Sequence, residues 1–265
     1  MLASLLLPFA LPVMLQQSTQ GTPGTRYTFR MITENDSTVG TVREDGRRAR
    51  IDLTHHGESH DYVLVLDGGR RVVSVHTREG EYSETADTTF ERVVGLGLRA
   101  ADATGVVRFR VRDVRITTKH LGPGELVAGH PTERYRLIQE FTVGVRAFGV
   151  AGETVRQVVV TDYWVSREPV LVPNPLIRLL STVASALGQS DPEFARRSMA
   201  ARRALFDGTP MRIVVTSHSL DEPDKRSVQR IEISGVASGR FDPEIWTIPA
   251  GYRRQSGDDF SWRFE

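Results

Sequence analysis

The fold class this sequence predicts is mainly β: an α+β arrangement in which a curved antiparallel sheet carries a helical lid on its concave face. Three observations predict it. Segments in which apolar and polar residues alternate recur from residue 26 to residue 165 and again from 212 to 240. Turn pairs such as Asp45-Gly46 and Asp67-Gly68 separate several of them. One late stretch, residues 171–208, has helical periodicity instead, and an apolar helix in a β-rich chain needs a sheet face to cover.

Residues 1–15, MLASLLLPFALPVML, are apolar apart from Ser4. The run is short for a bilayer span and contains Pro8 and Pro12, so it resembles the apolar core of a secretory signal peptide. No Lys or Arg precedes it and no clean Ala-x-Ala site follows, so the charged region of such a peptide would lie upstream of Met1. The expected organisation is a signal-like segment and linker over 1–24, one sheet domain over 25–257 with a helical insert at 172–207, and a tail over 258–265. Export to the periplasm or the exterior follows from the signal-like start.

The first strand covers residues 26–33, with Tyr27, Phe29 and Met31 on one face and Arg26, Thr28 and Arg30 on the other. Segments 39–43 and 48–53 flank Glu44-Asp45-Gly46-Arg47 and form a hairpin. Its second arm turns Ala49, Ile51 and Leu53 inward and Arg48, Arg50 and Asp52 outward. Segments 62–66 and 72–76 flank Asp67-Gly68-Gly69-Arg70 as a second hairpin. Both of its arms are apolar at consecutive positions, which predicts central strands with both faces covered. Residues 88–100 read as a short helix weakened by Gly95 and Gly97.

A long strand follows over 106–121. Val107, Phe109 and Val111 share a face; then parity flips to Val114 and Ile116, and a bulge near Arg112-Asp113 restores a common face. Segments 134–143, 145–150 and 155–165 continue the meander, with Ala151-Gly152 at a turn. Segments 212–220 and 227–240 finish it. The insert divides into two helices. Asn174 caps the first and Pro175 opens it; Leu176, Ile177, Leu179, Leu180, Val183 and Leu187 form its apolar stripe, and Gly188 stops it. Ser190-Asp191-Pro192-Glu193 opens the second, which runs to Phe206 and is amphipathic and basic. Phe194, Ala201 and Leu205 align on one side, and Arg196, Arg197, Arg202 and Arg203 line much of the rest.

The totals exclude several functions. With 34 basic and 33 acidic residues there is no global electrostatic case for nucleic acid. The absence of Cys removes disulfides, thiolate catalysis, Cys-ligated zinc and a lipid-modified N-terminal Cys. There is no G-x-S-x-G elbow, no Walker sequence, no dinucleotide loop around Gly95-Leu96-Gly97 and no pair of acids placed for glycosidic chemistry. No catalytic residue and no cofactor are assigned, and the chain reads as a non-enzyme. His55, His56 and His60 lie in a loop without the converging ligands a metal site needs, and no metal is expected. Arg108, Arg110 and Arg112 make a period-two basic stripe. It reads first as a solvated face with cross-strand ion pairs, and alternatively as a contact for anionic headgroups.

Three motifs occur in order: G-H-P-T-E-R-Y-R-L at 129–137, T-D-Y-W-V at 161–165, and F-D-P-E-I-W-T-I-P-A-G-Y at 241–252. Together with the helical insert they resemble the LolA/LolB-like lipoprotein-carrier superfamily and related secreted bacterial proteins, over about residues 26–254. The resemblance implies an incomplete antiparallel β-barrel with helices over its open, concave side, where carriers of this kind hold lipid acyl chains. The lack of Cys departs from the lipid-anchored members.

The function expected is therefore binding of a hydrophobic ligand, a lipid or a lipoprotein acyl chain, in the hollow of the sheet. Tyr27, Phe29, Met31, Ile51, Leu53, Val107, Phe109, Leu137 and Trp164 would line it, and Leu176, Leu180 and Val183 of the lid would close it. The Arg108, Arg110 and Arg112 stripe would meet a headgroup. Arg196, Arg197, Arg202 and Arg203 would touch a membrane surface. The alternative is an envelope interaction or sensor module whose hollow is filled by its own helices.

Overall fold

The computed structural model describes residues 21–34, 37–54, 61–86, 107–147, 150–168 and 192–255. The signal-like segment, the 88–100 segment, the histidine loop 55–60, the first helix of the insert with Leu176, Leu180 and Val183, and the tail lie outside the described residues.

The described strands are β1 (Thr22–Ile32), β2 (Ser37–Glu44), β3 (Ala49–Thr54), β4 (Asp61–Leu66), β5 (Arg71–His76), β6 (Glu81–Ala86), β7 (Val107–Pro123), β8 (Glu133–Ala147), β9 (Val150–Ser166), β10 (Thr209–Ser219), β11 (Arg226–Phe241) and β12 (Arg253–Arg254). Helix α1 (Pro192–Leu205) precedes β10. The strands form one 12-stranded open sheet in the order β12-β6-β5-β4-β3-β2-β1-β11-β10-β9-β8-β7. Neighbours are antiparallel except β12, which runs parallel to β6. The mainly β class holds. The long-range join is β1 against β11, which pairs the first strand with the last long one.

Local chemistry explains the hairpins. Between β2 and β3, Gly46 takes φ 83°, a left-handed conformation that glycine adopts without penalty. The Asp45 carboxylate accepts from the backbone N–H groups of Arg47 and Arg48 and from the Arg48 guanidinium. Burial works against its charge, but these hydrogen bonds prevail and hold its pKa below the ordinary value. The β4–β5 turn uses Gly68 in the same way, at φ 68°.

The bulge in β7 lies where parity requires it. Register with β8 slips between Arg112 and Arg115, and Asp113 takes φ 54°. The slip brings Val111 and Val114 into one cluster with Phe141 and Phe194, and Ile116 onto the same side as Leu137 and Tyr163. The next part of the meander differs from expectation. Residues 145–147 continue β8, and β9 begins at Val150, so two strands stand where three segments were read and Ala151-Gly152 is inside β9. In the stretch 143–150 the one charged residue, Arg146, continues the alternation of Val143 and Val145, so parity does not mark the corner.

The two faces of the sheet differ in chemistry. One register row holds Tyr135, Tyr163, Ile213, Ile231 and Met31 on five successive strands. The row beside it, facing the other way, holds Arg134, Trp164, Arg212, Glu232 and Arg30. The apolar face continues through Phe29, Val42, Ala49, Val63, Val65 and Val72 in the largest buried cluster. Each such large side chain stabilises the fold by about 1.5–3 kcal/mol through its burial. The polar face is a lattice of ion pairs, among them Arg136–Asp162 and Arg212–Glu232.

Strands β4 and β5 are covered on both sides, as their continuous apolar sequence predicts. Val63, Val65 and Val72 belong to the apolar face, while Tyr62, Leu64, Val73 and Val75 pack with Ile248 and Tyr252 on the other. The C-terminal segment reaches them through a short 3-10 turn, Pro243–Trp246, capped by the Asp242 carboxylate on the Glu244 N–H at 2.9 Å.

Candidate functional site

The apolar face brings together most of the expected lining. Tyr27, Phe29 and Leu137 are buried on it, and Met31 and Ile51 are half-buried beside them. Leu53 stands opposite Gly40 in the β2–β3 register. Val107 and Phe109 stand opposite Ala147 and Val145 in the β7–β8 register. The side chains of Leu53, Val107 and Phe109 lie outside the described residues, as do those of Arg108 and Arg110.

Trp164 is buried and belongs to the same cluster as Tyr27 and Phe29. Along β9 it alternates with Tyr163 and Val165, which pack under α1, and its ring lies between Arg134 and Arg212. Tyr163, Trp164 and Val165 are all apolar, and periodicity alone could not choose between the two directions.

Helix α1 covers the β7–β9 end of the apolar face. Phe194 is buried against Phe141, with ring centroids 5.1 Å apart, and against Val111. Ser198 accepts a hydrogen bond of 2.8 Å from the buried Gln139 amide. Ala201, Leu205 and Phe206 complete the contact with Leu137, Tyr163 and Ile213. Among the described residues, none of α1 belongs to the largest buried cluster, which extends from β1–β5 to Trp164, Met211, Ile231 and Ile233 on β9–β11.

The helix arginines split accordingly. Arg196 and Arg203 are exposed, and Arg196 pairs with Glu193. Arg197 is exposed but donates to the Val114 carbonyl at 3.2 Å. Arg202 is half-buried and faces Tyr163, whose phenol is pushed up by burial despite that cation. Arg112 is exposed at the β7 bulge, on an edge strand.

Among the described residues, three hydroxyls are buried on the apolar face without a hydrogen-bond partner: Tyr27, Ser74 and Ser83. Tyr27, Ser74 and Ser83 fall in one register row across β1–β6. Burial, and then the negative charge of Glu44, raise the Tyr27 phenol well above its ordinary value, so it remains a donor.

On the polar face Trp164 is flanked by two guanidiniums. Arg134 lies 4.9 Å and Arg212 5.1 Å from its ring centroid, one on each neighbouring strand. Glu125 closes the group: it accepts from Trp164 Nε1 at 2.6 Å and pairs with Arg212. Its own backbone N–H, then Trp164 and Arg212, hold its carboxyl below the usual value. The 129–137 and 161–165 motifs thus meet side by side and pin the β7–β8 loop. Sequence reasoning did not single out Glu125, Arg134 or Arg212, because only the register of β8, β9 and β10 puts them around the ring.

Asp61, His76 and Glu79 place ligand atoms within 4.8 Å of one another. Asp61 accepts from Thr77 N–H at 3.1 Å and lies 2.9 Å from His76 Nδ1. The group therefore serves as the hydrogen-bonded end of the β4–β5 hairpin, with both carboxylates exposed. The expected headgroup stripe and the expected lining converge on no reactive constellation of acid, base and nucleophile among the described residues.

Among known proteins, no family model matches this chain and no curated protein matches it.

Proposed function

We propose that this chain is a non-enzymatic periplasmic or secreted protein that binds a hydrophobic ligand, a lipid or a lipoprotein acyl chain, on the apolar face of its sheet. In this reading the sheet is an incomplete barrel, the helical insert is its lid, and the resemblance to lipoprotein carriers reflects a shared mode of holding acyl chains. The observation that carries the proposal is the pairing of a broad apolar face with the buried, unpartnered hydroxyls of Tyr27, Ser74 and Ser83. Buried polar groups normally find partners, and ligand pockets combine apolar walls with a few polar anchors. An amphiphile would supply both the apolar filling and the missing partners.

Native mass spectrometry of the purified protein, before and after delipidation, tests this. The expected result is an adduct of lipid mass, with uptake of a fluorescent fatty acid restored after delipidation. Consistent absence of adduct and of uptake sinks the proposal. The second reading, a self-filled interaction module, is favoured by one observation: α1 fills the β7–β9 end of the same face with its own side chains. It predicts a co-purifying protein and no lipid.

A further inference from the structure

We propose that the polar face of β1–β3 is a binding site for a phosphate-class oxyanion, a phosphate or sulfate group held by Arg26, Arg43 and Arg50. Register sets Arg26 opposite Arg43 and Arg43 opposite Arg50, so three guanidiniums stand side by side on adjacent strands. Like charges directly opposed across strands destabilise a sheet. Two other arginines of this face stand opposite carboxylates, Arg136 opposite Asp162 and Arg212 opposite Glu232, although Arg136 also has Lys119 opposite it on β7.

One carboxylate serves the row from the next position on this face of β3: Asp52, which pairs with Arg43 and accepts from Arg50 Nε at 2.9 Å. The next acid along, Asp45, is taken up by Arg48. Arg26 is exposed and makes no hydrogen bond or ion pair among the described residues. Three cations therefore share one anion.

The geometry suits a tetrahedral group. Neighbouring strands are about 4.8 Å apart, so adjacent guanidiniums can reach different oxygens of one phosphate or sulfate. Arg43 and Arg50 are half-buried and already oriented by Asp52, and Arg50 sits 3.6 Å from the centroid of the Tyr62 ring. Arg26 is the free arm that would close on the ion. Planar guanidinium forks recognise such oxyanions through paired, charge-assisted hydrogen bonds. The row lies on the opposite face from Tyr27 and Phe29, so this site does not depend on what fills the apolar face.

The test titrates the full chain with inorganic phosphate and with sulfate by calorimetry, at ionic strength held constant with chloride. Saturable binding is expected, weakened about tenfold in Arg26→Ser by loss of one charge-assisted contact and strengthened in Asp52→Asn. Arg26→Ser should unfold at the wild-type temperature when phosphate is absent, since Arg26 has no partner to lose. A second arm compares flotation with phosphatidylcholine vesicles and with vesicles that also contain phosphatidic acid. Arg26-dependent flotation with phosphatidic acid, without a response to the free ions, supports the site with a lipid headgroup as its source. If no probe binds in an Arg26-dependent way, the proposal is overturned.

Discussion

Replacing Phe194 by Ala tests how α1 is bound to the sheet. Phe194 is 2 % exposed and packs against Val111 and Phe141. Truncating a fully buried Phe costs about 3–5 kcal/mol, the lost transfer energy plus the cavity left behind. The tilted pairing with Phe141 accounts for roughly 0.5–1.5 kcal/mol of that. The remaining anchors of the helix are the Gln139–Ser198 hydrogen bond and the contacts of Ala201 and Leu205. They sit one to three turns farther along and cannot fill a cavity at residue 194. Urea unfolding of the variant should show the full loss. Trypsin should cleave more quickly at Arg196, Arg197, Arg202 and Arg203, because the helix undocks before the sheet opens. Ser198→Ala should act in the same direction by about 1–3 kcal/mol, leaving the Gln139 amide buried without its acceptor. Wild-type unfolding together with wild-type proteolysis in Phe194→Ala would refute the docking geometry.

Other outcomes follow from the same packing. Gly24→Ala should be severely destabilising, since an added Cβ would lie 2.1 Å from the Glu44 carbonyl oxygen, whereas Gly235→Ala, with open space around it, should be tolerated; thermal unfolding of the two variants checks this. Trp164→Phe removes the donor to Glu125 and should loosen the β7–β8 loop, seen as faster amide exchange at Val127 and His130, which bond each other. Burial opposes the charge on Glu232, but hydrogen bonds from Arg212 and Arg230 outweigh it and lower its pKa. Its stabilisation is therefore present above the ordinary carboxylate range and lost as pH falls through the lowered folded value. Glu232→Gln should cost roughly 1.5–3 kcal/mol at pH 7, and the difference from wild type should vanish in acid denaturation below the folded value.

The hairpins, the β7 bulge and the second helix of the insert were legible because each is a local event. Asp45-Gly46 has one hydrogen-bonding solution that fits two flanking strands, and a parity flip between Val111 and Val114 has one repair. Pro192 and Glu193 at the start of α1 and Gly208 beyond its end bracket the observed helix. Strand β6, whose sequence EYSETA has little apolar periodicity, was missed, as was the two-residue β12 that borders it. The corner between β8 and β9 was misplaced because Arg146 continues the alternation of Val143 and Val145, so the pattern gives no break where the chain turns. Of the lining set, Tyr27, Phe29, Met31, Ile51 and Leu137 were readable from alternation. Trp164 joins the same buried cluster as Tyr27 and Phe29, but its contacts with Arg134 and Arg212 were not readable, since its two neighbours in sequence are equally apolar.

By itself the sequence determined most of the strands, the tight turns of the first two hairpins and which side of most strands is apolar, since these depend on period-two alternation and on turn chemistry within a few residues. Only the tertiary structure decided that β1 lies against β11, that Arg134, Trp164 and Arg212 become neighbours, and that Arg26, Arg43 and Arg50 form a single row. Those relations depend on the register between strands, with partners as far apart in the chain as Thr22 and Phe241. Register is set by burying one whole face at once, and no local pattern carries that information.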